Sequence, residues 1–372
     1  MSKTKSDLFS ERKLSWYPKK SLLFILLCVY IFMLYCSHVW LLNRHKSLLP
    51  RIGGKILELR RTQNAEMKEI AKLAILKNSL DVKPPTARPD SCNACFKNDF
   101  TYLLNNHICE RYAEVDILVL ILTGPNNFQQ RQSIRETWGA LCTKKRHIAC
   151  VFILGLTEDA KVMEGIKSEN VKHSDIVLLD FKESYGNLTY KTMSGFRWSH
   201  DFCSGAKFVM KADGDMYINL ELIPILQRAV PMGKFYGGFC WEEQSPHREK
   251  SSKWYVSFKS YPHENFPPVC SGTAYILNSE FLIGLLNVSR NISFFHLEDV
   301  YIGMAAKALN VRPVTLKGFA NMRTEFTPCS YRNEVMTSHY VDSNTLRQYW
   351  TKSRECALAT HTPEKLYIAN KI

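Results

Sequence analysis

The stretch KFVMKADGDMYIN, residues 207–219, places Asp213 and Asp215 directly after a short apolar segment. The apolar residues predict a buried strand, and open α/β sheets bind ligands at the carboxyl ends of such strands. Two carboxylates one residue apart can hold a divalent cation and, through it, a diphosphate. Asp-x-Asp pairs also arise by chance in turns, so the position after a strand is what favours a metal site here.

Apolar strands alternate with helical segments along the middle of the chain. The predicted strands span residues 116–123, 148–155, 175–181 and 207–213, and the predicted helices span 131–139, 188–200 and 220–230, with a polar helix after the second strand. This alternation predicts an α/β fold whose central sheet is mostly parallel and covered by helices. After residue 231 short strands and turns containing Gly and Pro take over, and we expect this half to build the other side of a cleft.

A second acidic pair begins the segment LEDVYIGMAAKAL, residues 297–309. Its apolar spacing predicts an amphipathic helix with Glu298 and Asp299 in the first turn. A carboxylate that is not committed to a metal can act as a general base.

Two arginines follow the first predicted strand. Arg131 and Arg135 are four residues apart, so they project from one face of the predicted helix. Planar guanidinium groups suit phosphate oxygens. Taken alone, however, the spacing favours an ordinary solvated helix with Glu136 nearby.

The positive charge of the chain is concentrated at its N-terminal end. Of the formal net charge of +14, residues 1–90 contribute +10 (17 Lys/Arg against 7 Asp/Glu) and residues 91–372 contribute +4 (32 against 28). The excess flanks an apolar segment, where basic residues are ordinary. The distribution therefore argues against nucleic-acid binding.

Residues 22–42 are 21 consecutive positions without Lys, Arg, Asp or Glu. This length can span a bilayer as a helix and exceeds the apolar core of a cleaved signal peptide, roughly 7–15 residues. We therefore expect an uncleaved signal anchor that follows a cytoplasmic tail at 1–21. Basic residues flank the span equally on both sides, so they leave its orientation open.

Sequons and cysteines indicate the orientation. Three Asn-x-Ser/Thr sequons, at Asn187, Asn287 and Asn291, lie beyond the anchor, as do ten of the twelve cysteines. Glycosylation and disulfides belong to lumenal or extracellular compartments, so we expect residues 43–372 to be lumenal. The connectivity of the disulfides stays open; for Cys92 and Cys95 a disulfide is favoured over zinc, which would need a second ligand pair.

Residues 43–90 are predicted to form a stem and linker before a domain at 91–372. The apolar residues of 56–74 have roughly helical spacing among charged residues, which fits a solvated spacer and also allows a short self-associating helix. A homodimer through the stem or the domain is thus a further expectation. Pro84, Pro85 and Pro89 mark the linker.

Five segments together resemble the β-1,3-glycosyltransferase family (glycosyltransferase family 31), which contains β-1,3-galactosyltransferases and β-1,3-N-acetylglucosaminyltransferases. In the family's order they are RQSIRETWG (131–139), ESYGNLTYKT (183–192), KADGDMYIN (211–219), YPHENFPPVCSGTAYILN (261–278) and EDVYIG (298–303). The resemblance covers roughly residues 100–355. It implies a GT-A-like nucleotide-sugar-binding fold in a type II Golgi membrane protein whose catalytic domain is lumenal.

The resemblance also implies a role for each matching residue. Asp213 and Asp215 become ligands of Mn²⁺, and Asp299 becomes the catalytic base. His339 lies eleven residues before Trp350, as the histidine ligand does in some members, so it is the implied third ligand, with an ordinary histidine as the alternative. The implied donor-binding residues are Arg131, Arg135, Lys191, Asp213 and Asp215. The implied acceptor-binding residues are Glu298, Trp254 and Tyr261. For the two aromatic residues the alternative is a place in the core.

The activity implied is an inverting transfer of a hexose, in the first place galactose, from a UDP-sugar to the 3-hydroxyl of an acceptor glycan on glycoprotein or glycolipid. UDP-N-acetylglucosamine and UDP-N-acetylgalactosamine are alternative donors. A catalytically silent Golgi protein that binds glycans or escorts another transferase is an alternative of a different class. Four positions depart from the family pattern, Ala212, Gly214, Gly186 and Ala274, and they leave donor preference and catalytic strength open.

Overall fold

The computed structural model describes residues 88–227, 230 and 232–359, together with the isolated positions 30, 33, 34, 36, 37, 40 and 55. Contacts divide the chain into two units, 1–84 and 85–372. The predicted tail, anchor and stem fall almost entirely outside the described residues. Within the described part of the chain, no helix has both the length and the apolar character needed to cross a membrane.

Strands and helices alternate through the second unit. The strands are β1 (Tyr102–Leu104), β2 (Ile117–Leu122), β3 (Ile148–Leu156), β4 (Ile176–Lys182), β5 (Phe208–Asp213), β6 (Tyr217–Ile218), β7 (Tyr236–Trp241), β8 (Val269–Asn278), β9 (Val314–Thr315) and β10 (Thr337–Ser338). The α-helices are α1 (Phe128–Glu136), α2 (Ala160–His173), α3 (Leu188–Phe202), α4 (Ile223–Gln227), α5 (Ser279–Ser289), α6 (Glu298–Ala308), α7 (Pro328–Asn333) and α8 (Ser343–Ser353).

The central sheet is mixed. Its eight strands lie in the order β1-β4-β3-β2-β5-β8-β7-β9, and β6 and β10 form a separate pair. β4, β3, β2 and β5 are parallel neighbours, which confirms the predicted alternation for this half. The expectation of a mostly parallel sheet does not extend to the other half, where β8 is antiparallel to both β5 and β7. No crossover helix separates β7 from β8 in the chain, and antiparallel neighbours need none.

β2 is buried on both faces of the sheet. All six of its residues are buried, and alternate side chains point to opposite faces. Leu118 and its alternates pack in a core with α3, α5 and α6. Ile117 and its alternates pack in a second core with α1, α2 and α8. Helices therefore cover both faces, which is why the strand is apolar throughout.

The register of β2 and β5 places the ligand-binding edge. Leu122 of β2 lies opposite Asp213 of β5 in parallel register. The chain runs from β2 to β3 and β4 on one side, whereas β5 returns on the other side of β2. The carboxyl ends of β2 and β5 thus flank the topological switch point, where open α/β sheets bind ligands.

Two predicted helices have different bounds in the structure. α1 begins three residues before its predicted start and gives way to a 3₁₀ turn over Trp138–Leu141. The helix predicted over 220–230 begins at Ile223, three residues after its predicted start. The side-chain oxygen of Asn219 accepts from the Glu221 N–H at 3.2 Å and its carbonyl accepts from the Leu222 N–H at 3.1 Å, which holds the residues before α4 in a turn.

The ten cysteines within residues 88–359 form five disulfides. The pairs are Cys92–Cys95, Cys109–Cys203, Cys142–Cys150, Cys240–Cys270 and Cys329–Cys356. The expectation of disulfides beyond residue 43 is confirmed, and Cys92 pairs with Cys95 as favoured over zinc.

Candidate active site

A cavity of about 570 Å³ opens at the carboxyl ends of β2 and β5. Its walls come from these strand ends, the start of β8, the first turn of α6 and the residues that follow β10. The cavity brings together three separate parts of the sequence: the pair Asp213 and Asp215, the pair Glu298 and Asp299, and His339. Clefts at a topological switch point are the usual ligand sites of such sheets.

Asp213, Asp215 and His339 form a cluster that could hold a metal ion. Each residue offers one ligand atom, and these atoms lie within 4.8 Å of one another. His339 Nε2 is 3.3 Å from Asp215 Oδ2. Two carboxylates and an imidazole form a donor set that suits Mn²⁺ and its neighbours among divalent cations. The residues present therefore fit such an ion.

The pairing of β6 with β10 brings His339 to the aspartates. Ser338 lies opposite Tyr217, so the residue after β10 meets the residues before β6. The His339 Nδ1 lies 3.0 Å from the Asn321 carbonyl, which assigns the proton to Nδ1 and directs Nε2 towards Asp215. Burial opposes the charged imidazolium, but the hydrogen bond to Asp215 raises the pKa of His339.

Glu298 and Asp299 begin α6 but have different surroundings. Glu298 is buried; its Oε1 accepts a 2.5 Å hydrogen bond from Tyr275, and its Oε2 lies 3.8 Å from Lys211 Nζ. Burial raises the pKa of Glu298 to about 7. Asp299 is partly exposed and accepts backbone hydrogen bonds from Val300 at 2.8 Å and Gly272 at 3.4 Å. Desolvation also raises the pKa of Asp299.

Two buried lysines border the cavity. Lys191 Nζ donates to the Thr123 carbonyl at 2.8 Å and to both carboxylate oxygens of Glu183 at 2.8 Å, so it ties the end of β2 to the end of β4. Burial lowers the pKa of Lys191. Lys211 Nζ donates to Asp213 Oδ1 at 2.6 Å. The resemblance had indicated Lys191 but not Lys211.

Arg131 and Arg135 do not line the cavity. Both guanidinium groups pair with Glu169, and Arg135 also makes two 2.8 Å hydrogen bonds to Asp175. Arg131 is fully buried and donates to the Gly124 carbonyl at 2.8 Å. Arg131 thus supports the loop after β2 that borders the cavity, and its donors are already occupied. The four-residue spacing of Arg131 and Arg135 lets both side chains contact the carboxylate of Glu169.

The two aromatic residues expected on the acceptor side lie in different places. Trp254 is 41% exposed at the cavity, with Lys253 Nζ 4.5 Å from its ring centroid. Tyr261 is buried against Phe266 and Phe295 and does not line the cavity. The alternative of a core aromatic holds for Tyr261.

Several cavity residues were missed in the sequence. They include Gln130, Tyr185, Lys211, His247 and Thr273. Lys211 carried a usable signal, because residues two apart on a strand share a face and Lys211 is two residues before Asp213. Tyr185 and Thr273 lie within the matching segments, whereas His247 lies outside them.

The three sequon asparagines differ in environment. Asn287 and Asn291 are exposed, and Asn187 is partly buried at the start of α3. The Asn187 side chain donates to the Lys182 carbonyl at 2.8 Å, and the hydroxyl of Thr189 in the same sequon is buried.

The chain is similar in sequence to known galactosyltransferases. A family model described as Galactosyltransferase matches residues 129–317. The chain is 35% identical over 239 residues to beta-1,3-galactosyltransferase 5 of Homo sapiens, which covers 63% of this chain and 77% of that protein. It is 34% identical over 258 residues to beta-1,3-galactosyltransferase 1 of Mus musculus, which covers 68% of this chain and 78% of that protein.

Solved structures also match the chain, though weakly. Galactosyltransferase LgtC in complex with donor and acceptor sugar analogues matches with a TM-score of 0.34 at 11% identity, over 66% of this chain and 98% of that one. Mouse xyloside xylosyltransferase 1 matches with a TM-score of 0.30 at 10% identity, over 61% and 97%. Scores of this size do not establish a shared fold.

The departures at Gly214 and Gly186 have opposite steric settings. A Cβ on Gly214 would lie 2.6 Å from Thr123 Cγ2 and 2.4 Å from Gln130 Oε1. A Cβ on Gly186 would meet nothing within 4 Å. Gly214 is therefore fitted to its neighbours in this chain, whereas Gly186 leaves open space beside Tyr185.

We expect Gly214→Ser to lower the free energy of unfolding by about 1–3 kcal/mol, because the new side chain must displace Thr123, whose carbonyl also holds Lys191. Gly186→Ser is the matched control and should stay within about 0.5 kcal/mol of the parent. Urea unfolding followed by tryptophan fluorescence measures both. Equal midpoints for the two variants would contradict the steric account.

Proposed function

We propose that this chain, which belongs to the galactosyltransferase family, is a β-1,3-galactosyltransferase. In this proposal it transfers galactose from UDP-galactose to the 3-hydroxyl of an acceptor glycan on glycoprotein or glycolipid, using a GT-A-like donor site. The observation that carries the proposal is the convergence of a candidate metal cluster and the carboxylate of Asp299 in one cavity at the switch point of the sheet.

Asp213, Asp215 and His339 would hold the divalent cation, for which we propose Mn²⁺. When bound, such an ion supplies Lewis-acid stabilisation of the charge that develops on a diphosphate leaving group. Asn321 fixes the orientation of His339 through its carbonyl. Lys191 holds the Thr123 and Glu183 ends of two strands together beside the ligands, which keeps the donor side of the cavity in one shape.

Asp299 is the residue that we assign as the base. Its carboxylate borders the cavity, partly exposed, and both its oxygens accept hydrogen bonds from backbone N–H groups, which fix the side chain. It would accept the proton of the acceptor 3-hydroxyl as that oxygen forms a bond to the anomeric carbon. The bond from this carbon to the UDP oxygen breaks, and UDP leaves with the electron pair. One displacement inverts the configuration.

Glu298 suits a different task. Its two oxygens already face Tyr275 and Lys211, so its carboxylate is held by the protein rather than presented to a substrate. We therefore place Glu298 among the residues that shape the acceptor side. Trp254 offers an exposed ring at the same cavity, on which the apolar face of a sugar can lie.

The donor is tested by incubating the purified full-length protein with Mn²⁺, an acceptor glycan library and each of UDP-galactose, UDP-N-acetylglucosamine and UDP-N-acetylgalactosamine. We expect a hexose product from UDP-galactose, with a β-1,3 linkage by NMR, that is lost in EDTA and restored by Mn²⁺. A product from an N-acetylhexosamine donor alone would overturn the choice of galactose. No product from any donor would favour the silent glycan-binding or escort protein.

The base is tested by comparing Asp299→Asn with its neighbour variant Glu298→Gln. We expect Asp299→Asn to retain donor binding and lose about 10²–10⁴-fold in turnover, because an amide cannot accept the proton at neutral pH. Glu298→Gln should lose less. Turnover at saturating donor decides, and a larger loss for Glu298→Gln would reverse the assignment.

For location, we propose that residues 1–21 are cytosolic, that 22–42 anchor the chain in the Golgi membrane, and that the domain is lumenal. Five disulfides and two exposed sequon asparagines support this proposal, because both features are typical of the secretory pathway.

The topology predicts glycans on Asn287 and Asn291, which are exposed. Peptide N-glycosidase F should increase the gel mobility of the protein expressed in mammalian cells. The double variant Asn287→Gln/Asn291→Gln should show a smaller shift, limited to whatever Asn187 carries. A parental protein that shows no shift would count against a lumenal domain.

A further inference from the structure

Lys211 is a buried cation beside the candidate metal cluster. It lies two residues before Asp213 on β5, so the two side chains project from the same face of the strand. The Lys211 side chain is 3% exposed. A buried ammonium group is costly unless it is paired and hydrogen-bonded. The contacts of Lys211 therefore indicate its role in the site.

The contacts of Lys211 connect three elements of the cavity. Its Nζ donates to Asp213 Oδ1 at 2.6 Å and to the carbonyl oxygen of Gly272 on β8. It also lies 3.8 Å from Glu298 Oε2 in the first turn of α6. The N–H of the same Gly272 donates to Asp299 Oδ2 at 3.4 Å. A chain of contacts therefore runs from Asp213 through Lys211 and the two backbone polar groups of Gly272 to Asp299.

The register of the sheet explains how one side chain reaches these partners. Lys211 lies opposite Tyr275 in the antiparallel pair of β5 and β8. Tyr275 itself donates to Glu298 Oε1. Glu298 is thus held from both sides by groups on adjacent strands, and a Cβ on Gly272 would come within 2.9 Å of its Oε2. The close approach of α6 to β8 depends on this glycine.

We propose that Lys211 is a positioning residue that sets the Asp213 carboxylate relative to Asp299 and limits how tightly the cluster binds its cation. The inference rests on the metal site of the proposed function. Asp213 shares its negative charge between Lys211 and that site, so a bound cation competes with the ammonium group. The same ammonium group holds the carbonyl of Gly272, the residue whose N–H donates to the base.

Removing the charge therefore has two consequences of opposite sign. A site without Lys211 is more negative, so the cation should bind more tightly, since charges a few ångströms apart interact strongly in a partly buried site. Turnover should fall, because Asp213 and Asp299 lose their common tether and a misplacement of about 1 Å can cost about 10²-fold. A side chain that merely fills space would not produce tighter binding together with slower catalysis.

The experiment compares Lys211→Met, Lys211→Arg and the control Lys207→Met in the purified full-length protein. Lys207 precedes the same strand, is half-exposed and pairs with Glu114 and Asp116. Mn²⁺ binding is measured directly from the electron paramagnetic resonance signal of the free ion, and thermal unfolding and turnover are followed in parallel. If Lys211→Met fails to fold, Lys211→Gln replaces it, because it removes the charge and keeps an N–H donor.

We expect the Mn²⁺ dissociation constant to fall about tenfold in Lys211→Met and the turnover number to fall about 10²-fold. Lys211→Arg should keep parental Mn²⁺ affinity, and Lys207→Met should match the parent in both measurements. Unchanged or weaker Mn²⁺ binding in the charge-removing variant, or unchanged turnover, overturns the inference while the proposed function stands. A parental protein that binds no Mn²⁺ overturns both.

Discussion

The convergence of four carboxylates in one partly buried cavity is the constraint on which the rest of the site depends. Asp213, Asp215, Glu298 and Asp299 would repel one another and take up protons unless each had a compensating partner. The structure supplies a partner for each: His339 for Asp215, Lys211 for Asp213, Tyr275 together with the same Lys211 for Glu298, and backbone N–H groups for Asp299. The N-terminus of α6 adds a favourable field for the last two. A cluster maintained at this cost is better suited to binding and proton transfer than to packing alone.

The parallel half of the fold could be predicted because its signals are local. Fully apolar segments of the length of β2 predict buried parallel strands. The helices between them are predicted from the helical spacing of their apolar residues. The other half could not, since the position of β8 between β5 and β7 depends on pairing over long sequence separations. Predicted bounds differ from the structure where a local side-chain hydrogen bond competes with helix propensity, as before α4, where the Asn219 side chain accepts from the Glu221 N–H. Membership of the galactosyltransferase family rests on residues 129–317 and on relatives at about 35% identity.

The site was only partly predictable, for a physical reason. Motifs locate residues along the chain, but whether a side chain reaches the cavity depends on what else competes for it. His339 reaches Asp215 because β10 pairs with β6, which no local pattern indicates. Arg131 matches a motif, but its N–H groups donate to Glu169 and to loop carbonyls. Tyr261 also lies in a matching segment, but its ring packs in the core. Lys211 begins a matching segment but has no role implied by the resemblance, yet it contacts more of the site than Arg131 or Tyr261 does. Similarity to relatives does not decide the donor sugar, because the residues that contact it come from several segments of the chain.

The central claim is that Asp213, Asp215 and His339 hold a divalent cation beside Asp299. A crystal structure of the protein grown with Mn²⁺ and UDP, with diffraction data recorded at the manganese absorption edge, tests it most directly. The account predicts one strong anomalous peak within coordinating distance of this cluster, in contact with the diphosphate, with the carboxylate of Asp299 facing the space left for the sugar. A peak elsewhere, or UDP bound in the cavity with no peak at these three residues, would contradict it.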